Sequence, residues 1–468
     1  MKTALWSLPA LVLAGCATFS EDGGFGVVES AVRERTGQHA RWVRSDDDAK
    51  SVRARVKELL APPLGAEAAA QIALLNNPGL QARYAELGIA EADLVQASRW
   101  SGPTFSFARL RHGGGGGADY EASVFLDVLG LITIPLATRA EAKRFEAAKT
   151  RAAGEALQLA LETRKAWFAA VAAQESAHYM AQVMEAAEAS ATLAARMAAV
   201  GNWSRLNQAR EQAFYADAAA QLARARHTRL AAREHLTRLM GLWGEDAAFR
   251  LPDRLPELPK AAREAGDLEA QALAQRLDVQ AARRDAESLA ESLGLTKATR
   301  FIDLLEVGHL REREADESRH SGWGVELRIP IFDFGGARSA RAEHLYRQSV
   351  NRAVESAIQA RSEVREAYSA YRTAFDLAKH YRDEIVPLRK KISEEVLLRY
   401  NGMLMSVFEL LADSREQIAA VNAYLESLRG FWIAESDLQA AMTARSPGAM
   451  GGAVRAATAP ARSGGAEH

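Results

Sequence analysis

The hydrophobic pattern changes period along the chain, and it does so twice in the same order. Apolar positions at helical spacing begin near Gly65 and, after a pause at Asn77-Pro78, continue through Ala82, Leu87, Ala90, Leu94 and Ala97 to Trp100. The period then drops to two. Phe105 and Phe107 alternate with Ser106 and Ala108, the run Gly113 to Gly117 supplies a turn, and Val124, Leu126 and Val128 alternate with Phe125 and Asp127, which together predict a hairpin. Residues 138–200 are rich in Ala, Glu, Arg, Gln and Leu and contain no proline, so a helix of ~60 residues and ~90 Å is expected. Gly201-Asn202 breaks it, Ser204 can cap the next segment, and a second helix is predicted over 205–240. Pro252, Pro256 and Pro259 mark a linker.

The second half repeats this plan: a helix over 267–296, strands over 300–311 and 321–332, a turn at Gly335-Gly336, a helix over 337–399 that Pro387 should kink, a break at Asn401-Gly402 and a helix over 407–444. Matching positions lie at nearly constant offsets: Leu80 to Val279 is 199, Pro135 to Pro330 is 195, and Gly201 to Gly402 is 201. A unit of about 200 residues has therefore been duplicated. In the last strand Val325, Leu327, Ile329 and Ile331 share one face, with Glu326 and Arg328 on the other. That pattern suits lipid outside and water inside, and it suits an amphipathic strand on a soluble core equally well.

Charge is balanced, 59 Lys plus Arg against 60 Asp plus Glu, which removes the electrostatic case for a nucleic-acid partner. The N-terminus carries the address. Lys2 and the apolar run from Ala4 to Leu13 read as a signal peptide over 1–15. Leu13-Ala14-Gly15-Cys16 resembles the bacterial lipobox, in which the cysteine is acylated; Cys16 is also the only cysteine, so no disulfide can form within the chain. Residues 16–63 are expected to be a lipid-anchored tether with short helices, with loops at Asp46-Asp47-Asp48 and Pro62-Pro63, and 445–468 a disordered tail. No apolar run of 18 residues comes after Cys16, so any membrane crossing must use strands. Four strands cannot close by themselves, two chains give a narrow eight-stranded barrel, and three give a wide twelve-stranded one. No metalloprotease, phosphate-loop or nucleophile motif is present, and His227 and His235 stand too far apart on a helix to share an ion, so neither enzyme chemistry nor a cofactor is expected.

Three stretches resemble the TolC-type outer-membrane efflux family over roughly 59–444. They are the opening Ala73, Leu74, Asn76, Asn77, Pro78 and Leu80; the connector Leu251, Pro252, Leu255 and Pro256; and the segment Ile329-Pro330-Ile331-Phe332-Asp333-Phe334-Gly335-Gly336 before a long helix. The resemblance implies a mainly α fold with a small β part. Duplicated long-helix hairpins, with repeats over 64–250 and 267–444 joined by a linker over 251–266, would form a trimeric α-helical barrel and a twelve-stranded transmembrane β-barrel. It implies a passive exit duct of a tripartite efflux system in the outer membrane of a Gram-negative bacterium, working with a periplasmic adapter and an inner-membrane pump of RND type. Gly201, Ser204, Tyr400, Gly402 and Ser406 would be adapter-docking tips, and Glu409 and Asp413 the periplasmic gate, with Ala412 standing where the family has its second acid. The stretch 400–416 also resembles members linked to heavy-metal export, while drug export stays open. The alternative is a lipid-anchored periplasmic adapter or a helical scaffold without a pore.

Overall fold

The computed structural model describes residues 18–111, 118–264, 266–313 and 319–444. In chain order these contain α1 (Phe25–Thr36), α2 (Asp46–Leu60), α3 (Ala66–Asn76), α4 (Pro78–Ala97), β1 (Thr104–Arg111), β2 (Ala118–Asp127), α5 (Val128–Ala199) and α6 (Arg205–Met240). The second repeat continues as α7 (Leu268–Gln275), α8 (Leu277–Ala298), β3 (Leu304–Arg313), β4 (His320–Arg328), α9 (Gly336–His380), α10 (Val386–Asn401) and α11 (Val407–Thr443). The duplicated plan of helix, two strands and two long helices is thus present. Among the described residues no helix is long and apolar enough to cross a membrane.

The chain divides into two compact units. The first comprises Met1–Val28, Arg83–Ala152 and Asp278–Ile358 and holds one antiparallel sheet in the order β1-β2-β3-β4, so the hairpin of one repeat pairs edge to edge with that of the other. Two boundaries here depart from the expectation. The long helix α5 starts at Val128, ten residues before 138, and Pro135 lies inside it. The Asp127 carboxylate accepts the Gly130 N–H at 2.7 Å and so caps the helix early, and Pro135 removes a single rung near its start. Strand β4 stops at Arg328, short of 332. Beyond it Phe334 (φ 46°) and Gly335 (φ 69°) turn the backbone through the left-handed region, and the Asp333 carboxylate accepts the Gly335 and Ala337 N–H groups at the start of α9. Those two bonds hold the Asp333 pKa below the usual carboxylate value.

The second unit comprises Glu29–Ala82, Ala153–Leu277 and Gln359–His468. Its core gathers Leu64, Ile72, Trp167, Phe168, Leu236, Met240, Phe431 and Leu438. Phe168 stacks on Trp432 at 5.1 Å between centroids, and the Trp167 indole donates to the Leu64 carbonyl at 2.7 Å. The proline-rich linker is no loose tether: Leu251, Leu255 and Leu258 are buried in this core. Its backbone is held as well, with the Leu255 N–H donating to Glu175, Gln174 to the Pro252 carbonyl and the Trp432 indole to the Pro256 carbonyl.

The Asn76-Asn77 motif also gains a physical role. Asn76 donates to the carbonyls of Met240 and Gly241, Asn77 donates to that of Leu239, and Asn77 Oδ1 accepts the Leu80 N–H. The pair therefore ties off the last carbonyls of α6, which no helical N–H can reach. At the matching point of the second repeat the expected helix over 267–296 is broken between α7 and α8 by Arg276, which is fully buried. It donates to Glu363 at 2.6 Å and to the Ala441 carbonyl near the end of α11. One guanidinium thus replaces the two amides.

One further expectation is corrected. Asp46-Asp47-Asp48 form the first turn of α2 rather than a loop, because Ser45 caps the Asp48 N–H and acids there complement the helix dipole. At Pro387 the long helix passes through a π-helical turn over Tyr381–Ile385, with the proline in the first turn of α10, the kind of irregularity at which helices kink.

Candidate channel elements

In the sheet, residue register assigns every side chain to one of two faces. Phe105 pairs with Val124, Val124 with His309 and His309 with Trp323, so these four share a face, and by alternation so do Phe107, Tyr120, Leu126, Leu305, Val307, Val325 and Leu327. The opposite face carries Ser106, Asp119, Glu121, Ser123, Asp127, Glu306, Glu312, Glu326 and Arg328. The apolar face is open to solvent: Phe105 is 73% exposed, Trp323 81% and Val325 68%. Beyond the strands, Ile132 near the start of α5 and Ile331 and Phe332 after β4 are exposed as well, the last 99%. A soluble protein does not leave so much contiguous apolar and aromatic surface in water. On the polar face the Phe125 ring lies against Gly308 and Gly324, where an added Cβ would come within 2.6 Å and 3.4 Å of it, so the two glycines make room for the ring.

The hairpin tips belong to the second unit. At the first, Gly201 adopts φ 77°, the Asn202 N–H donates to the Met197 carbonyl, and Ser204 caps α6 by accepting the Asn207 N–H. At the second, the Leu404 N–H donates to the Arg399 carbonyl and Ser406 caps α11. The left-handed residue there is Met403 (φ 57°), while Gly402 sits at φ −79°. The structural counterpart of Gly201 is therefore Met403, one place beyond the sequence match to Gly402. Each left-handed residue stands three positions before its capping serine, a spacing that could have corrected the register. Tyr400 lends only its carbonyl to this turn, accepting the Met403 N–H at 3.0 Å. Val200, Leu206, Met403 and Leu404 are exposed around the two turns.

Glu409 and Asp413 differ in kind. The Glu409 carboxylate accepts both the N–H and the hydroxyl of Ser406 at 2.9 Å, completing a capping box, and the Ser406 N–H foremost lowers its pKa. Asp413 is half-buried, and its Oδ2 has no hydrogen-bond partner. Sequence reasoning missed the group that joins the two hairpins. Glu211 on α6, only 2% exposed, accepts the Ser190 hydroxyl of α5 and a guanidinium N–H of Arg415 on α11, both at 2.8 Å, and Arg415 lies over the Phe214 ring at 4.4 Å. Cys16 and Gly113 to Gly117 fall outside the described residues, as does the tail over 445–468. No group of three or more metal-ligating side chains comes together among the described residues.

No protein-family model and no curated protein matches the sequence. Solved structures do match. The CmeC outer-membrane channel of Campylobacter jejuni is 17% identical, with a TM-score of 0.68 over 86% of this chain and 89% of CmeC. The outer-membrane protein VceC of Vibrio cholerae is 15% identical, with a TM-score of 0.66 over 84% and 96%. The open-state MtrE outer-membrane channel of Neisseria gonorrhoeae is 17% identical, with a TM-score of 0.66 over 80% and 88%. The chain has the fold of these outer-membrane channels, the TolC-type fold its motifs resembled. The matched folds are channels rather than enzymes.

Proposed function

We propose that the chain is the passive outer-membrane exit duct of a tripartite export system in a Gram-negative bacterium. The observation that carries this reading is the sheet: an exposed apolar face, an acidic polar face and two unpaired edge strands, β1 and β4. Three copies of four strands make twelve, which buries every edge and encloses an aqueous passage. Cys16 would carry the covalent lipid, and the duct needs no other prosthetic group and performs no bond chemistry. The two repeats, 64–250 and 267–444, would each contribute a helical hairpin to the periplasmic wall. Gly201, Ser204, Tyr400, Gly402 and Ser406 would meet a periplasmic adapter, which couples the duct to an inner-membrane pump of RND type. Because Glu409 is committed to its capping box, a gate role falls to Asp413, whose Oδ2 has no hydrogen-bond partner. Cargo would be small molecules or metal ions selected by the pump.

The test is electrical. Purified protein added to planar bilayers should give unitary conductance steps, and chemical cross-linking in detergent should stop at a trimer. A stable monomer with no conductance would overturn the proposal.

A further inference from the structure

All four arginines of β1 and β3, Arg109, Arg111, Arg311 and Arg313, lie on the apolar face of the sheet, and the carboxylates of β2, β3 and β4 lie on the other. Alternation alone would scatter charge over both faces, so this separation needs a reason. The arginines also share one end. Counted in rows from the helix side, the apolar face shows Leu305 with Leu327, then Leu126 with Val307 and Val325, then Phe105, Val124, His309 and Trp323. Phe107, Ala122 and Arg311 come next, and the last rows hold Arg109, Tyr120, Arg313 and Arg111. From Leu305 to Arg311 is six residues, roughly 20 Å along a strand. The arginines therefore stand just beyond an apolar band, at the hairpin end away from the helices. The aromatic rings mark the same boundary: His309 meets Trp323 edge to face at 5.4 Å, Phe107 meets Tyr120 at 6.3 Å, and the Arg109 guanidinium lies over the Tyr120 ring at 5.6 Å. Arg109, Arg111, Arg311 and Arg313 are all exposed, and none forms an ion pair among the described residues.

We infer that these four arginines form a binding surface for the phosphate groups of outer-leaflet lipid headgroups. The inference rests on the membrane reading of the sheet. Guanidinium groups match phosphate oxygens in a fixed two-donor geometry, and their stems lie along the apolar band while the heads reach the polar layer. A face turned to the lumen would meet water, and a face turned to protein would find carboxylates. This face finds neither, and phosphate at the edge of hydrocarbon is the counter-charge a bilayer supplies there. The carboxylates Glu121 and Glu312 at this level point to the opposite face, so they do not compete for the guanidinium groups.

The experiment uses the full-length protein in nonionic detergent, titrated with lipid A carrying its phosphates and with dephosphorylated lipid A, bound lipid being counted by native mass spectrometry. The phosphorylated form should bind more than about 25-fold more tightly, with the advantage shrinking at high salt. Each arginine at such a surface is worth about fivefold, so Arg311→Gln with Arg313→Gln should lose about 25-fold, and Arg311→Lys with Arg313→Lys should recover most of it. A second pair, Arg109→Gln with Arg111→Gln, should show the same loss. Equal affinity for the two lipids, Gln variants that bind as wild type, or displacement of lipid by millimolar inorganic phosphate would each overturn the inference. Conductance in phosphatidylcholine bilayers separates the two readings. A conducting protein without phosphate preference refutes only the lipid surface, and a protein that never conducts refutes the duct, and this surface with it.

Discussion

The joint between the hairpins should fail asymmetrically. Glu211 is 2% exposed, whereas the Arg415 side chain is 36% exposed. Removing the arginine by Arg415→Leu keeps an apolar stem near Phe214 but leaves a buried carboxylate with only the Ser190 hydroxyl. A buried ion stripped of its partner costs about 3 kcal/mol, equivalent to about 150-fold in an opening equilibrium. Removing the charge by Glu211→Gln keeps the hydrogen bond to Ser190 and leaves a guanidinium that can turn to water. That change should cost about 1 kcal/mol, or roughly fivefold. The double variant should resemble Glu211→Gln alone, since the carboxylate that made the arginine necessary is gone. Hydrogen exchange of α11 amides around Arg415, tracked by mass spectrometry on the purified protein at neutral pH, reads all three. Equal acceleration in the two single variants would refute the argument from burial.

Four other outcomes rest on single residues. Met403→Gly relieves a left-handed backbone at a side chain that is 94% exposed, so it should stabilise the tip by about 1 kcal/mol in hydrogen exchange, and unchanged or faster exchange there would count against the assignment. Gly402 has ordinary dihedrals and no atom closer than 3.5 Å to a built Cβ, so Gly402→Trp should leave folding and bilayer conductance intact while abolishing export in cells; surviving export would remove Gly402 from the docking surface. Gly241→Ala combines φ 65° with a Cβ 2.7 Å from the Asn76 carbonyl oxygen and should destabilise by about 3 kcal/mol, seen as a lower denaturant midpoint. Asp48, hydrogen-bonded to Arg41 and Ser45, has its pKa lowered from 3.8 to about 2. Because the folded value lies below the unfolded one, its contribution is complete above about pH 4 and is lost as pH falls to 2, so the protection of amides at the start of α2, measured against their intrinsic exchange rate at each pH, should fall in that window and not at pH 5 to 7.

What the sequence disclosed depended on how local the signal was. The period-two runs at Phe105 to Phe107 and Val325 to Leu327, and the helix bounded by Ser204 and Gly241, depend on neighbours a few residues away, and they appear where expected. Boundaries decided by a side chain's choice of partner did not show. Whether Asp127 or Pro135 sets the start of α5 depends on which hydrogen bond forms, and nothing around Pro387 announces that the irregularity takes the form of a π turn over Tyr381–Ile385. Long-range pairs were invisible for the same reason. Nothing near Arg276 announces Glu363, and nothing near Glu211 announces Arg415, although an acid on an otherwise buried helical stripe was a usable hint. The tip register failed because Gly attracts the left-handed position, while the backbone placed Met403 there instead.

The sheet also explains why this chain should not be stable alone in water. A free sheet edge is a template for further pairing, and proteins that keep one usually guard it with lysine, a bulge or an inward charge. Strand β1 carries Phe105 and Phe107 on an edge, and β4 carries Trp323, Val325 and Leu327 on the other, with no lysine in either. These open edges, whose charges are Arg109 and Arg111 on β1 and Glu326 and Arg328 on β4, are a hazard beside an apolar face unless the same event hides both. In the proposed duct, pairing β4 of one copy with β1 of the next would do so; because the two edges differ the contact would be head to tail, and it hides every edge only if it closes as a ring. Two copies would close a barrel of eight strands, whose interior side chains such as Phe125 and Leu310 fill the space, while three leave an aqueous centre lined by Glu121, Glu306, Glu312 and Glu326. Carboxylates that stand directly opposite one another, as Glu121 and Glu312 do, repel across a dry interior and are tolerable only where water can enter. On the proposed duct reading, the charges on the inner face therefore favour a ring of three copies over one of two.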